Sequence, residues 1–258
     1  MSFSTITLTI ENDIAVLALN RPDVKNAMDS LMRAEILQAV KKAEVNARVL
    51  VLTGTGDSFC SGQDLRSNEV VNGLEPEKIL REEYEPMMHA IIDCLIPTIS
   101  AVNGIAAGAG ASLALTADVV IATHSAVFLQ AFSRIGLMPD AGSSYFLPRQ
   151  MGVAKAMGAA LFAEPISAEQ ASDWGMIWEA VPDADFDNHW RARAAALAKG
   201  PTLAYRNVKA AMRASQDNHL RSQLALEAKS QEDLSRSDDF KEGVQAFLEK
   251  RTARFQGR

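Results

Sequence analysis

Apolar and polar positions alternate at the start of the chain. Ile6, Leu8 and Ile10 are spaced by Thr7 and Thr9, and Ile14 to Leu19 follow the pair Asn12-Asp13. A period of two on both sides of a turn predicts a β-hairpin over Thr5 to Asn20, ended by Arg21-Pro22. The period then lengthens. Met32, Ile36 and Val40 fall four apart behind Asp29 and Ser30, either of which can cap a helix. Val49 to Leu52 and Thr98 to Val102 are short apolar runs, the pattern of strands buried on both faces. Gly54 and Gly56 stop the first, and Asn103-Gly104 turns the chain after the second. Gly108 to Leu115 predicts a small-residue helix, and Val119 to Ala122 a further strand. This alternation implies crossover units and an α/β core. Arg66 to Glu85 has little apolar periodicity until its end and is expected to be a loop entering a helix near Arg81. From Gly142 the pattern turns helical. Pro201 opens a helix to about Ala214. Leu220 to Leu234 and Phe240 to Lys250 give two more, the last entered by Ser237 or Asp238. Residues 199–258 are therefore expected as a helical appendage on a core of residues 1–198.

Composition narrows the class. Of 258 residues, 48 % are hydrophobic and 22 % charged, with 15 Gly and 9 Pro. That excludes collagenous and disordered chains. Lys plus Arg is 26 against 32 Asp plus Glu, so a bulk basic field for nucleic acid is absent. Two cysteines, Cys60 and Cys94, make no disulfide scaffold and suggest a reduced, cytoplasmic setting. The first residues lack the basic and long apolar regions of a signal peptide. Ile99 to Ala122, the least polar stretch, is interrupted by Asn103, glycines and Asp118, so no membrane association is expected.

Several catalytic signatures are missing. There is no Walker loop, no His-Glu-x-x-His and no Gly-x-Ser-x-Gly, and His89, His124, His189 and His219 lack ligand spacing. The glycines of Gly104 to Gly110 do not have dinucleotide-binding spacing, and the early hairpin also argues against a nucleotide unit there. Two loops after buried strands remain: Asp57 to Leu65 and Asn103 to Gly110. Their small residues permit close backbone approach, and a helix start leaves N–H groups unpaired. Two such groups from separate loops can stabilise a carbonyl oxygen that gains negative charge. Tight helix–strand packing is the alternative explanation for the same glycines.

The motifs Arg21-Pro22…Asn26-Ala27, Phe59-Cys60-Ser61-Gly62-x-Asp64-Leu65, Asn103-Gly104-x-Ala106-x-Gly108-x-Gly110 and the ending Phe247-Leu248-Glu249-Lys250-Arg251 resemble the crotonase (enoyl-CoA hydratase/isomerase) superfamily. The resemblance covers nearly the whole chain. It implies an α/β fold, a ClpP/crotonase-like spiral of β–β–α turns, with a C-terminal helical trimerisation region. It implies acyl-CoA thioester substrates, coenzyme A being part of the substrate rather than a separate cofactor, and a homotrimer or dimer of trimers. Carried over residue by residue, the oxyanion hole falls on the N–H groups of Gln63 and Ala109. Contacts to CoA and substrate fall on Lys25, Ala27, Ser61, Asp64, Leu65, Gly108 and Phe132. No metal is implied.

Hydratases of this superfamily resemble one another in two glutamates that activate water. At those places this chain has Ser112 and Phe132, neither a competent base near neutral pH. One acid lies nearby, Asp140, in Gly136 to Gly142. An aspartate there resembles the isomerase and dehalogenase branches, and makes Asp140 the expected catalytic carboxylate. The alternative is a helix cap for a helix starting near Ala141. Apolar Leu137, Met138 and Phe132 are expected to desolvate it. The similarity is greatest to ring 1,2-epoxyphenylacetyl-CoA isomerases of phenylacetate breakdown, through Ala131 to Asp140, Ser167 to Gln170 and Trp174 to Trp178. A Δ3,Δ2-enoyl-CoA isomerase, a hydratase and a non-catalytic acyl-CoA- or RNA-binding homologue are the alternatives. Trp174 and Trp178 are expected as packing residues. The basic tail of Lys250, Arg251, Arg254 and Arg258 is either a solvated helix end or a contact to the CoA phosphates of a neighbouring subunit.

Overall fold

The Asn12-Asp13 turn settles the first element pair. In the computed structural model, which describes residues 3–66 and 75–258, both residues take positive φ, 51° and 63°. That turn matches the right-handed twist of the strands it joins, and Asn and Asp tolerate the conformation. β1 (Ile6–Glu11) and β2 (Ile14–Leu19) pair antiparallel, from Ile6 opposite Leu19 to Glu11 opposite Ile14. The chain then crosses through α1 (Ser30–Asn46), where Asp29 caps by accepting from Met32 N at 2.8 Å. It returns as β3 (Val49–Gly54), parallel to β2.

Three strands of the main sheet are each followed by a short strand of a second sheet. β3 leads to β4 (Ser58–Cys60). A helical segment follows, made of α2 (Pro76–Ile79), a π-helical turn (Leu80–Tyr84) and α3 (Glu85–Ile92). It therefore starts earlier than the expected Arg81; the first part of that expected loop, residues 67–74, lies outside the described residues. β5 (Thr98–Val102) leads to β6 (Ile105–Ala107) and α4 (Ala109–Ala114). β7 (Val119–Thr123) leads to β8 (Val127–Leu129), a 3-10 turn (Ala131–Ile135) and α5 (Ser143–Phe162). β9 (Ile166–Ser167), α6 (Ala168–Asp173), β10 (Glu179–Val181) and α7 (Phe186–Ala198) complete the core. The main sheet runs β1-β2-β3-β5-β7-β10 and the second β4-β6-β8-β9, a spiral of β–β–α turns. The second sheet is not foreseen by the sequence pattern, because strands of two or three residues carry no readable period.

The main sheet is covered on both faces. Leu50 and Leu52 enter the larger apolar cluster with Met32, Ile36 and Val40 of α1. Val49 and Val51 turn to the other, against Phe186, Trp190 and Ala194 of α7. That explains the continuous apolar run in β3. Three helices end the chain: α8 (Thr202–Ala214), α9 (Leu220–Ser235) and α10 (Asp238–Leu248), the last capped by Ser237. α8 is fastened to the core by ions. Lys209 Nζ lies 2.7 Å from Asp118 and donates to the Cys94 and Ile96 carbonyls, while Arg213 pairs with the other Asp118 oxygen at 2.7 Å.

Candidate active site

Glycine lets the two loops meet. Gly62 has φ 98°, and a Cβ there would stand 2.8 Å from the Ala107 carbonyl oxygen and 3.3 Å from Ala109 N. The segment after β4 therefore lies directly against the start of α4. Gly108, the N-cap of α4, has φ 51° and ψ −128°. Conformation rather than space requires glycine there, since a Cβ would meet nothing closer than Phe132 Cζ at 3.9 Å. Gly110 is the packing case: its Cβ would fall 2.2 Å from the Cys60 carbonyl oxygen. The loop thus requires glycine for conformation at one position and for packing at another.

The Ala109 N–H opens α4, where no intrahelical acceptor exists. Gln63 stands on the facing loop. Met28 N donates to the Gly62 carbonyl at 2.8 Å, and the Met28 carbonyl accepts from Asp64 N at 2.9 Å, a parallel bridge between Met28 and Gln63. Backbone groups alternate along an extended chain, so the Gln63 amide faces away from Met28. Gln63 and Ala109 both line one cavity of about 280 Å³. Its walls are largely apolar: Leu65, Ile79, Leu80, Tyr84, Phe132, Ile135 and Leu137.

Asp140 also lines this cavity, the one carboxylate to do so among the described residues. It is half-buried, and its side chain makes no hydrogen bond or ion pair among them. Burial raises its pKa from 3.8 to about 6. The helix-cap alternative fails: Gly142 is the N-cap of α5, and the Asp140 side chain makes no cap hydrogen bond among the described residues. What is fixed is the main chain of Asp140. Its carbonyl accepts from Ser143 N at 2.9 Å and from Ser112 Oγ at 3.0 Å, and the Ser112 and Ser143 hydroxyls are 2.7 Å apart. Both serines are fully buried. Ser112 thus braces the acid from behind, while Phe132 walls the cavity beside Gly108.

Seven of the ten residues named from sequence line the cavity: Ser61, Gln63, Leu65, Gly108, Ala109, Phe132 and Asp140. Lys25, Ala27 and Asp64 do not. Lys25 adjoins it, its carbonyl accepting from Ser61 N at 3.0 Å. Asp64 is held by Arg21 at 2.9 Å and by Arg66 N at 3.0 Å. Met138 is 68 % exposed and outside the wall, so desolvation of Asp140 falls to its other neighbours. Trp174 packs against the core, but Trp178 is 67 % exposed beyond the end of α6, against the expectation that both pack. Arg251 of the basic tail is tied to Glu242 and Glu249, each at 2.6 Å. Sequence reasoning missed Tyr84, Ile79 and Leu80 of the helical wall. Their period is broken by the π turn, which defeats a search at 3.6 residues per turn.

The sequence pattern described as enoyl-CoA hydratase/isomerase matches residues 9–258. A protein of Rhodobacter capsulatus named "Probable enoyl-CoA hydratase" is 58 % identical over the whole of both chains. The 1,2-epoxyphenylacetyl-CoA isomerase of Escherichia coli is 42 % identical, covering 96 % of this chain and 97 % of its own. The crystal structure of an enoyl-CoA hydratase from Polaromonas sp. JS666 superposes with a TM-score of 0.92 at 32 % identity, covering 98 % of this chain and all of that one.

Proposed function

Since the chain belongs to the enoyl-CoA hydratase/isomerase family and has its crotonase fold, we propose that it is an acyl-CoA isomerase working through a thioester enolate and one carboxylate. The observation that carries the reading is Asp140, a half-buried acid with its pKa raised to about 6 on the wall of an apolar cavity. Ser112 and Phe132 supply no second base. The ring 1,2-epoxyphenylacetyl-CoA is the proposed substrate, supported by the 42 % identity to the Escherichia coli isomerase. A Δ3,Δ2-enoyl-CoA is the simpler relative.

In the proposed reaction the thioester carbonyl oxygen accepts from Gln63 N–H and Ala109 N–H. Fixed donors stabilise the enolate oxygen without reorganising when charge develops. For a 3-enoyl-CoA, the Asp140 carboxylate takes a proton from C2 and the electron pair moves into the carbonyl. The resulting acid returns the proton to C4 and the double bond settles between C2 and C3. No atom is gained or lost. Lys25, Ala27, Ser61 and Asp64 are proposed along the CoA moiety, and Leu65, Gly108 and Phe132 around the acyl end. The chemistry draws on no resident cofactor. Residues 199–258 are proposed to assemble the chain into a homotrimer or a dimer of trimers.

Hydration is the second reading, favoured by the name of the Rhodobacter capsulatus relative. One experiment separates the two. Incubation with 3-enoyl-CoA in deuterated water, read by mass spectrometry, is expected to give the 2-enoyl product carrying deuterium without the mass of water. Addition of water to 2-enoyl-CoA, whose double bond is conjugated with the thioester, without isomerisation of the 3-enoyl substrate assigns a hydratase instead. The ring epoxide then serves as the second substrate, with the oxepin thioester as expected product.

A further inference from the structure

We propose that Arg33 is a positioning residue for the Gln63 side of the oxyanion hole, coupling that donor to the helical wall of the acyl cavity. This rests on the enolate reading above. Arg33 lies in the first turn of α1 and is 1 % exposed. A guanidinium is costly to bury unless it is paired and its donors are used. Here one end of the guanidinium is used at the hole. Nη1 donates to Gln63 Oε1 at 2.8 Å and to the Met28 carbonyl at 3.2 Å. That same Met28 carbonyl accepts from Asp64 N in the bridge that orients the Gln63 amide. Arg33 therefore grips both partners of the bridge.

The other end of the guanidinium holds the helical wall. Nε and Nη2 reach Glu83 Oε2 at 2.9 and 2.7 Å. Tyr84, the next residue, sets its ring 4.8 Å from the guanidinium carbon and donates its hydroxyl to Gln63 Oε1 at 2.8 Å. Among the described residues Gln63 Oε1 thus receives two donors, one from α1 and one from the wall. Glu83 and Tyr84 belong to the π turn whose Leu80 and Tyr84 line the cavity. A π turn inserts one residue into a helix and is common at functional sites. An acyl group that fills the cavity meets Tyr84, and Tyr84 bears on the residue that supplies the hydrogen bond to the thioester.

The test uses the full chain with Tyr84→Phe and Arg33→Gln. Tyr84→Phe keeps the ring and removes one donor, so it reports even where the buried Arg33 variant folds poorly. The first probe is acetoacetyl-CoA, whose bound enolate absorbs in the near ultraviolet and reports the hole without turnover. The second is the kcat and KM split on 3-enoyl-CoA. Misplacing a donor by about 1 Å costs on the order of a hundredfold. We expect a weaker enolate band in both variants, and kcat lower by about tenfold in Tyr84→Phe with KM within about twofold. A lower melting temperature with band and kcat unchanged overturns the inference, since Arg33 is then structural only. A band that is present and weakened in the variants, without isomerised product in any form, supports positioning and refutes the isomerase reading. A wild-type chain with no band refutes the hole and the inference together.

Discussion

Asp140 keeps its proton to about pH 6 because the cavity wall removes water from the charged form and no described donor replaces it. Two opposite consequences follow from that one shift. As a base, Asp140 works only when ionised, so kcat/KM is expected to rise about tenfold per pH unit up to about 6 and then level off. Asp140→Asn keeps the shape and removes the base, and isomerisation is expected to fall by about 10²–10⁴-fold. Stability moves the other way. The carboxyl titrates at 3.8 unperturbed and about 6 when folded, so the folded chain binds more protons between those values. Stability falls as pH rises through that window. Asp140→Asn is therefore expected to stabilise the chain by about 1–2 kcal/mol at pH 7, the solvent-facing edge of the acid keeping the gain small. At pH 3.5 that gain disappears. Thermal melts at the two pH values check this. The residue and its proposed role as acid were legible in the sequence through the family resemblance; that it caps no helix was not, because that depends on where α5 begins.

α4 and the strands around it show what elements add to motifs. Gly110 lies against the backbone of β4, so Gly110→Ala is expected to cost stability at the upper end of about 1–3 kcal/mol. Gly136 has φ 76° and open space around its missing Cβ, so Gly136→Ala is expected to cost only about 1 kcal/mol of left-handed strain. Chemical denaturation of the two variants separates crowding from conformation. Ser112→Ala removes a buried hydroxyl that joins α4 to the start of α5, and a loss of about 1–2 kcal/mol is expected. The helices and the main-sheet strands β1, β2, β3, β5 and β7 were readable because each carries a period or an apolar run, whereas β10, three residues inside a stretch expected to be helical, was not. β4, β6, β8 and β9 were not, being too short for a period and held by neighbours distant in sequence.

At the scale of the molecule, the C-terminal helices present apolar side chains outward. Val208, Met212, Leu224, Phe240 and Phe247 are each more than half exposed, and Phe247 reaches 82 %. An apolar surface of that kind is what an interface covers. Light scattering is expected to give three or six times the chain mass of 27.9 kDa, and a monomer at micromolar concentration sinks the proposed assembly. The sequence by itself determined the hairpin, the buried strands, the helical ending, the two small-residue loops and the presence of Asp140, because these depend on local period, turn chemistry and residue type. Tertiary structure alone decided that Gly62 meets Ala109, that Ser112 braces Asp140, and that Arg33, fifty residues from Glu83, reaches through Gln63 into the cavity. Those relations are distances between segments, and no local pattern of side chains encodes a distance that only packing of the whole chain sets.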